Sequence, residues 1–172
     1  MTIVKFDHIG VVVDDLDAAL KHFRKLFDFR DEDLVYERDY KDVDSDTGDV
    51  DVMHFALFPV GEVYFELIEP VSEGPMKRFL ERTGGGIHHL GVTSNDLRKE
   101  WARHDGERES VGVIGDRPRV DQYNVSYWFL HPKPNYRVLF EVDAAWAKTS
   151  VSDMTPLEPT PDWAAELTGK PA

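Results

Sequence analysis

HIGV at residues 8–11 recurs as HLGV at residues 89–92, 81 residues further along the chain. In the same order, FEL at residues 65–67 is followed 75 residues later by the similar FEV at residues 140–142. Each match is short, but two ordered matches that divide a 172-residue chain into halves are hard to obtain by chance. The sequence therefore predicts one structural module that is used twice.

The two halves share a pattern of one strand, one helix and three further strands. In the first half we expect a strand over 4–13, a helix capped by Asp14 or Asp15, and strands near 33–40, 51–59 and 62–69. In the second half we expect a strand over 87–94, a helix over 95–105, and strands near 109–114, 123–131 and 136–143. The predicted fold class is α+β, with two βαβββ modules that form a curved mixed sheet or half-barrel.

The domain organisation follows from the repeat. Residues 1–146 are predicted to form a single domain, made of modules 1–70 and 86–146 with a linker at 71–85. A short helix is expected within this region, near residues 76–82. Residues 147–172 contain four prolines and are interpreted as a C-terminal arm, with a short helix near 162–167.

Composition excludes several classes of function. The formal net charge is −13, from 33 acidic and 20 basic residues, which opposes binding to nucleic acid. The chain has no cysteine, so disulfides and thiolate metal sites are excluded. Its first residues lack the pattern of a signal peptide, and no apolar run approaches the roughly 20 residues of a membrane span. We therefore expect a cytoplasmic protein without nucleic-acid or membrane partners.

Strand alternation separates the candidate ligands from their neighbours. Successive side chains of a strand point to opposite faces. In the first strand, His8 lies opposite the β-branched residues that should pack under the helix, and in the second module the same rule selects His89 rather than His88. Glu66 and Glu141 likewise alternate away from their apolar neighbours. Each module thus contributes one histidine and one glutamate to the same face.

Two imidazoles and two carboxylates form a plausible metal site inside the curved sheet. A glutamate between apolar strand residues is costly to bury unless it is paired or bound to a metal. The set His8, Glu66, His89 and Glu141 suits a borderline or hard divalent ion, namely Co²⁺, Zn²⁺, Ni²⁺, Mn²⁺ or Fe²⁺. The alternative is that the carboxylates lie in solvent on edge strands and the histidines make hydrogen bonds within the core.

The same residues resemble the vicinal oxygen chelate superfamily, which includes glyoxalase I, extradiol dioxygenases and fosfomycin-resistance proteins. FDHIGVVVDDLDAALKHFRKLFDF at residues 6–29 is similar to the superfamily's first strand and helix. PVGEVYFELIEP at 59–70 and GGGIHHLGV at 84–92, followed by the ending HP…FEV, are most similar to the methylmalonyl-CoA epimerase family. The resemblance covers roughly residues 4–143. It implies the same four metal ligands that alternation selects.

This resemblance implies a metal-dependent isomerase or epimerase that stabilises the enolate of an acyl-CoA or oxo compound. Glu141 and Asp51 are the candidate catalytic carboxylates, with Asp49 as an alternative to Asp51. The family's catalytic glutamate has no counterpart in the segment 42–52, and its glycine-rich approach to the last hairpin is replaced in the segment 115–123. The implied partners are a small-molecule substrate, such as a CoA thioester, and a second copy of the chain in a homodimer.

Three other functions use the same scaffold. The first is glyoxalase I-like lyase chemistry on a small oxo compound, and the second is non-catalytic binding of small molecules, as in resistance proteins. The third is an extradiol-type dioxygenase, which normally uses two histidines and one carboxylate on Fe²⁺. Glu66 as a fourth ligand argues against this last function.

A few further side chains are candidates for the cavity. Four basic residues are the best local groups for an anionic substrate, with simple solvation as the alternative: Lys77, Arg78, Arg117 and Arg119. Three adjacent aromatic residues indicate either a cavity wall or packing between barrel strands: Tyr127, Trp128 and Phe129. His54 is interpreted either as a cavity residue or as a hydrogen-bonded core residue, and His22 and His104 as surface residues of helices.

Overall fold

A computed structural model of the chain describes residues 2–44, 47–121 and 125–144. The strands are β1 (Ile3–Val12), β2 (Val35–Val43), β3 (Val50–Val60), β4 (Val63–Pro70), β5 (Gly86–Ser94), β6 (Arg119–Asp121), β7 (Ser126–Leu130) and β8 (Phe140–Ala144). The helices are α1 (Leu16–Phe27), α2 (Pro75–Thr83), α3 (Leu97–Gly106) and α4 (Arg108–Val111), and a 3-10 turn covers Asp31–Asp33.

The eight strands form one curved mixed sheet in the order β1-β4-β3-β2-β6-β7-β8-β5, and β5 pairs with β1 to close the ring. The central β1–β5 contact is antiparallel, whereas β1–β4 and β5–β8 are parallel. On the far side, two residue pairs join β2 to β6 among the residues that the structure describes. The predicted α+β fold of two βαβββ modules around a curved sheet is confirmed.

The repeat extends to the start of each module's helix. The side chain of Asp15 accepts a hydrogen bond from the backbone N–H of Ala18 at 2.9 Å, and that of Asp96 accepts one from Lys99 at 3.0 Å. Aspartate is a favoured N-cap because its carboxylate satisfies an N–H group that has no partner within the helix. Each helix covers the outer face of its own module, so the inner face of the curved sheet remains for a site.

The prediction was wrong between the third helix and the seventh strand. Residues predicted as a strand near 109–114 form α4 instead, followed by a single bridge between Val113 and Leu130. The alternating valines of this segment resemble a strand, but Gly112 lies at φ +73° and its N–H bonds to Arg108 O, which ends a helical turn. The strand of this region is β6, and the last strand begins at Phe140 rather than near residue 136.

The helix predicted near residues 76–82 is α2, which begins with Pro75 at its first turn. The arm at 147–172 and its helix near 162–167 lie outside the described residues. Among the helices that the structure describes, none is long and apolar enough to cross a bilayer.

Candidate metal centre

Four side chains predicted from the sequence converge at the inner face of the sheet. The Nε2 atoms of His8 and His89 lie 3.0 Å apart. The Oε2 atom of Glu66 lies 3.3 Å from His89 Nε2, and that of Glu141 lies 3.1 Å from the same nitrogen. From His8 Nε2 the two carboxylates lie 3.7 and 3.9 Å away. Each module supplies one imidazole and one carboxylate to a single point.

The register of β1 against β5 creates the space for the two rings. His8 pairs with Gly91 and Gly10 pairs with His89, so each histidine faces a glycine of the other module. A Cβ atom on Gly10 would lie 2.2 Å from Cε1 of His89, and one on Gly91 would lie 2.1 Å from Cε1 of His8. The repeated His-X-Gly sequence therefore has a steric reason in both modules.

The outer nitrogen of each ring is held by the residue that precedes it. Asp7 Oδ2 lies 3.1 Å from His8 Nδ1, and His88 Nδ1 lies 3.1 Å from His89 Nδ1. Hydrogen bonds at Nδ1 fix the ring orientation and leave Nε2 directed at the centre, as is common for metal-bound histidines. Sequence reasoning missed Asp7 and His88 in this role. Their position directly before each candidate ligand was the available signal.

The electrostatics of the centre suit a cation. Burial acts to lower the pKa of His8, but Glu66, Asp7 and Glu141 together raise it well above its usual value. His88 behaves in the opposite way, because burial and the nearby His89 lower its pKa to about 4. A neutral His88 can accept a hydrogen bond from His89. The carboxylates thus stabilise positive charge at the point where the Nε2 atoms meet.

The donor set fits a divalent metal. Ligand atoms of His8, Glu66 and His89 lie within 4.8 Å of one another. Oε2 of Glu141, the fourth residue, lies 3.1 Å from His89 Nε2. Imidazole nitrogens and carboxylate oxygens are the ligands of borderline and hard divalent ions, and four of them leave coordination positions free for substrate oxygens or water. These residues would hold such an ion without rearrangement of the sheet.

The centre lies in the wall of a cavity of about 240 Å³. Tyr127 and Phe129 line this cavity, and the Phe129 ring centroid lies 5.7 Å from that of His89. The aromatic wall predicted from the sequence is therefore present for two of its three residues. Trp128 follows the other interpretation, because alternation along β7 turns it to the outer face, where it packs in the core beneath α3.

His104 was wrongly placed as a surface residue. It is 4% exposed and lies on the inner side of α3, against Trp128. The indole Nε1–H of Trp128 donates to His104 Nδ1 at 3.1 Å. In a helix of only ten residues, the sequence alone does not show which face is buried. The hydrogen bond to Trp128 shows that His104 lies on the buried face.

The structure distinguishes between the two candidate aspartates. Asp51 lines the cavity, and its Oδ2 accepts a hydrogen bond from Arg119 Nη2 at 3.2 Å. Asp49 is exposed and does not line the cavity. Of the four basic candidates, Arg119 lines the cavity, whereas Lys77, Arg78 and Arg117 are absent from the cavity wall that the described residues form.

His54 faces away from the cavity. Its Nδ1 accepts the backbone N–H of Asp39 at 3.0 Å, whereas its neighbours Met53 and Phe55 line the cavity. Of the two interpretations considered for His54, the hydrogen-bonded structural one is confirmed.

Comparison with known proteins gives the family. Residues 7–127 match the Glyoxalase/Bleomycin resistance protein/Dioxygenase superfamily. The chain belongs to this superfamily. Among its members, an ethylmalonyl-CoA/methylmalonyl-CoA epimerase of Cereibacter sphaeroides is 30% identical over 81% of this chain and 96% of that protein. An uncharacterized protein of Bacillus subtilis is 27% identical over 80% of this chain and 90% of its own length.

A solved structure of the superfamily shows the same fold. A substituted methylmalonyl-CoA epimerase of Streptomyces coelicolor, in complex with 2-nitronate-propionyl-CoA, is 27% identical and has a TM-score of 0.62. The match covers 83% of this chain and 97% of that chain. The resemblance inferred from the sequence is confirmed, both for the superfamily and for its likeness to methylmalonyl-CoA epimerases.

Proposed function

We propose that this protein is a metal-dependent epimerase or isomerase that acts at the carbon next to a carbonyl group. The observation that carries the proposal is the convergence of His8, His89, Glu66 and Glu141 on one point in a cavity wall. The chain's similarity to epimerases of acyl-CoA substrates supports the same chemistry. We further propose an acyl-CoA or related oxo compound as the substrate.

A divalent metal bound by these four residues would hold the substrate oxygens and stabilise the negative charge of an enolate. The protein's own contribution is to hold the ligands in place. Asp7 and His88 fix the rings, and Gly10 and Gly91 let the rings approach each other. Ligands that are already oriented by the protein reduce the reorganisation required for reaction.

The proton is transferred by a carboxylate. Glu141 lies in the cavity wall beside His89 and is our first candidate for the base, while Asp51 lies in the wall formed by β3. In the proposed step the α C–H bond breaks, its electron pair enters the enolate, and the proton passes to the carboxylate. Delivery of a proton to the opposite face of the carbon by the second carboxylate, in its protonated form, completes an epimerisation. Proton transfer to a neighbouring carbon completes an isomerisation.

The apolar part of the cavity suits the carbon skeleton of such a substrate. Phe55, Leu57 and Ile68 line it together with Phe129. Exclusion of water by these side chains would protect an enolate from protonation by solvent. The predicted homodimer and the predicted cytoplasmic location stay predictions.

Exchange of the α-proton tests this function directly. Protein loaded with Co²⁺ is incubated in D₂O with methylmalonyl-CoA, its primary amide and propionyl-CoA, and deuterium at the α-carbon is followed by NMR. We expect exchange above the buffer rate with at least one thioester, lost in Glu141→Gln and retained in Glu62→Gln, whose glutamate is exposed in the β3–β4 turn. Failure of all three thioesters would overturn the acyl-CoA function. Oxygen uptake with catechols should be absent.

A further inference from the structure

The cavity holds a second polar cluster beside the metal centre. Arg119 on β6 contacts three carboxylates, here called the Arg119 cluster: Asp42, Asp44 and Asp51. Its Nε and Nη2 bond to Asp42 Oδ2, its Nη1 lies 3.0 Å from Asp44 Oδ2, and its Nη2 lies 3.2 Å from Asp51 Oδ2. All three guanidinium nitrogens are therefore engaged by residues of the protein.

The cluster joins the two segments at which the sequence departs from the epimerase pattern. Its carboxylates come from the segment 42–52 and its guanidinium from the segment 115–123. The two segments meet where β2 pairs with β6, and Arg119 binds across this contact between modules. Both departures thus change the same end of the cavity.

Charge at this end is negative. Three carboxylates face one guanidinium, and among the described residues that line the cavity Arg119 is the only arginine or lysine. Burial raises the pKa of Asp42, and a protonated Asp42 would still leave two carboxylates against one cation. The Arg119 guanidinium has five N–H groups, and its contacts with the three carboxylates use up to four of them. It therefore cannot bind a substrate carboxylate in the strong two-pronged way without losing a protein partner.

One carboxylate oxygen of the cluster has no hydrogen-bond partner among the described residues. Within the described part of the chain, Asp42 Oδ1 is buried and makes no hydrogen bond, although Asp42 is a cavity-lining residue. Tyr127 lies next to the cluster, with its hydroxyl 3.3 Å from Arg119 Nε, and connects it along β7 to Phe129 and the metal centre. Because Asp42 Oδ1 is not accessible from the cavity, it leaves the negative charge of Asp42 only partly compensated and is not itself a contact for a ligand.

Resting on the function proposed above, we propose that the Arg119 cluster selects substrates whose substituent on the reacting carbon is polar but carries no negative charge. A hydroxymethyl or carboxamide group fits this description. A second carboxylate, as in a malonyl-type thioester, does not, because it would approach two or three carboxylates whose single cation is already engaged. The proposal separates this chain from relatives that act on methylmalonyl-CoA.

A matched pair of thioesters tests the proposal. Methylmalonyl-CoA and its primary amide differ only in replacement of the carboxylate by a carboxamide. With Co²⁺-loaded protein, kcat/KM for α-proton exchange is measured for each thioester and divided by the exchange rate of the same thioester in buffer alone. We expect this ratio to be at least about tenfold higher for the amide than for the acid. Equal rates, or a faster carboxylate, would overturn the proposal while leaving the proposed epimerase function intact.

Binding gives a readout that does not depend on turnover. We expect calorimetry on the same protein to show a Kd for the amide at least about tenfold below that for the acid. In Asp42→Asn/Asp44→Asn this preference should shrink or reverse, because one carboxylate then faces one guanidinium. The exposed-residue variant Asp31→Asn/Asp116→Asn removes the same charge elsewhere and should leave the preference unchanged. If none of the three thioesters exchanges but the amide binds more tightly than the acid, the function fails and the selectivity stands. If neither the acid nor the amide binds, the selectivity fails, and exchange of propionyl-CoA alone decides the function.

Discussion

Gly10 and His89 lie opposite each other across the β1–β5 contact, and a Cβ on Gly10 would lie 2.2 Å from Cε1 of the His89 ring. Gly91 and His8 repeat the relationship at 2.1 Å. Each module thus supplies a ring to the centre and the space for the other module's ring. Neither half can form the centre alone, which explains why the repeat conserves the glycine together with the histidine within this one chain.

The first prediction concerns this space. Gly10→Ala places a methyl group inside the His89 ring position, so the ring must move, and we expect metal affinity to fall at least about tenfold. Overpacking of this kind typically costs about 1–3 kcal/mol of folding free energy. Competition titration with a chromophoric chelator measures the affinity, and urea unfolding measures the stability.

Gly106→Ala is the matched control, because a Cβ at Gly106 meets no atom within 4 Å. It should bind metal as the wild type does and lose no stability. If Gly10→Ala retains wild-type affinity, the steric role assigned to this glycine is wrong.

The second prediction concerns the carboxylate ligands. Glu66→Ala and Glu141→Ala each remove one of four donors, so each should lower metal content after equilibrium dialysis with Co²⁺ and reduce the rise in Tm that metal causes in the wild type. Glu62→Ala removes an exposed glutamate from the turn before β4 and should change neither quantity. Full metal content in either ligand variant would remove that residue from the set.

Much of this centre could be predicted from the sequence because it depends on local rules. Alternation along a strand selected His89 over His88 and placed Glu66 and Glu141 on the same face. The repeat then implied that the two faces coincide. The N-cap at Asp15 follows from its type and position. These inferences need no knowledge of which strands pair.

The features that sequence reasoning missed depend on contacts between distant residues. Asp42 and Arg119 are 77 residues apart, and only the pairing of β2 with β6 brings them together. The helical turn at Arg108–Val111 replaced an expected strand because a single glycine in the left-handed region outweighed the β-branched pattern around it. Neither the contact between Asp42 and Arg119 nor this helical turn can be predicted without knowledge of the tertiary structure.

The third prediction concerns Asp7, which is 3% exposed and lies against His8 Nδ1. Replacement by leucine removes the acceptor that orients the ring, and loss of such an outer partner typically weakens metal binding about 10–100-fold. Asp7→Asn keeps an acceptor oxygen without charge and should lie between leucine and the wild type. The exposed variant Asp17→Leu is the control. An affinity unchanged in Asp7→Leu would contradict the assigned role.

The fourth prediction concerns pH. The pKa of His88 is lowered from 6.5 to about 4, because burial and then His89 disfavour its charged form. Between about pH 4 and about pH 6.5 the unfolded chain therefore binds more protons than the native one. His88 thus contributes stability that is fully present above about pH 6.5 and is lost as the pH falls toward about 4. In metal-free protein, the free energy of unfolding should fall between about pH 7.5 and about pH 4.5. This fall should be smaller in His88→Asn than in the wild type, by on the order of 2 kcal/mol.

Urea unfolding of both proteins at the two pH values provides the measurement. His8 titrates in both proteins, so its contribution cancels in the comparison. Parallel stability profiles for wild type and His88→Asn would show that the proton uptake of His88 does not differ between the folded and unfolded states.

The fifth prediction separates stability from the metal centre. Trp128 lies on the outer face of the sheet beneath α3, and its indole N–H donates to Nδ1 of His104 on that helix. His104→Leu leaves that buried N–H without its acceptor, so we expect a loss of about 1–3 kcal/mol in urea unfolding, whereas His22→Leu on the exposed face of α1 should cost little. The double variant His104→Leu/Trp128→Phe should lose less than the sum of the losses in His104→Leu and Trp128→Phe, because it leaves no unpaired donor. Metal affinity should be unchanged in every one of these variants. A strictly additive double variant would mean that the hydrogen bond contributes nothing to stability beyond the packing of the two rings.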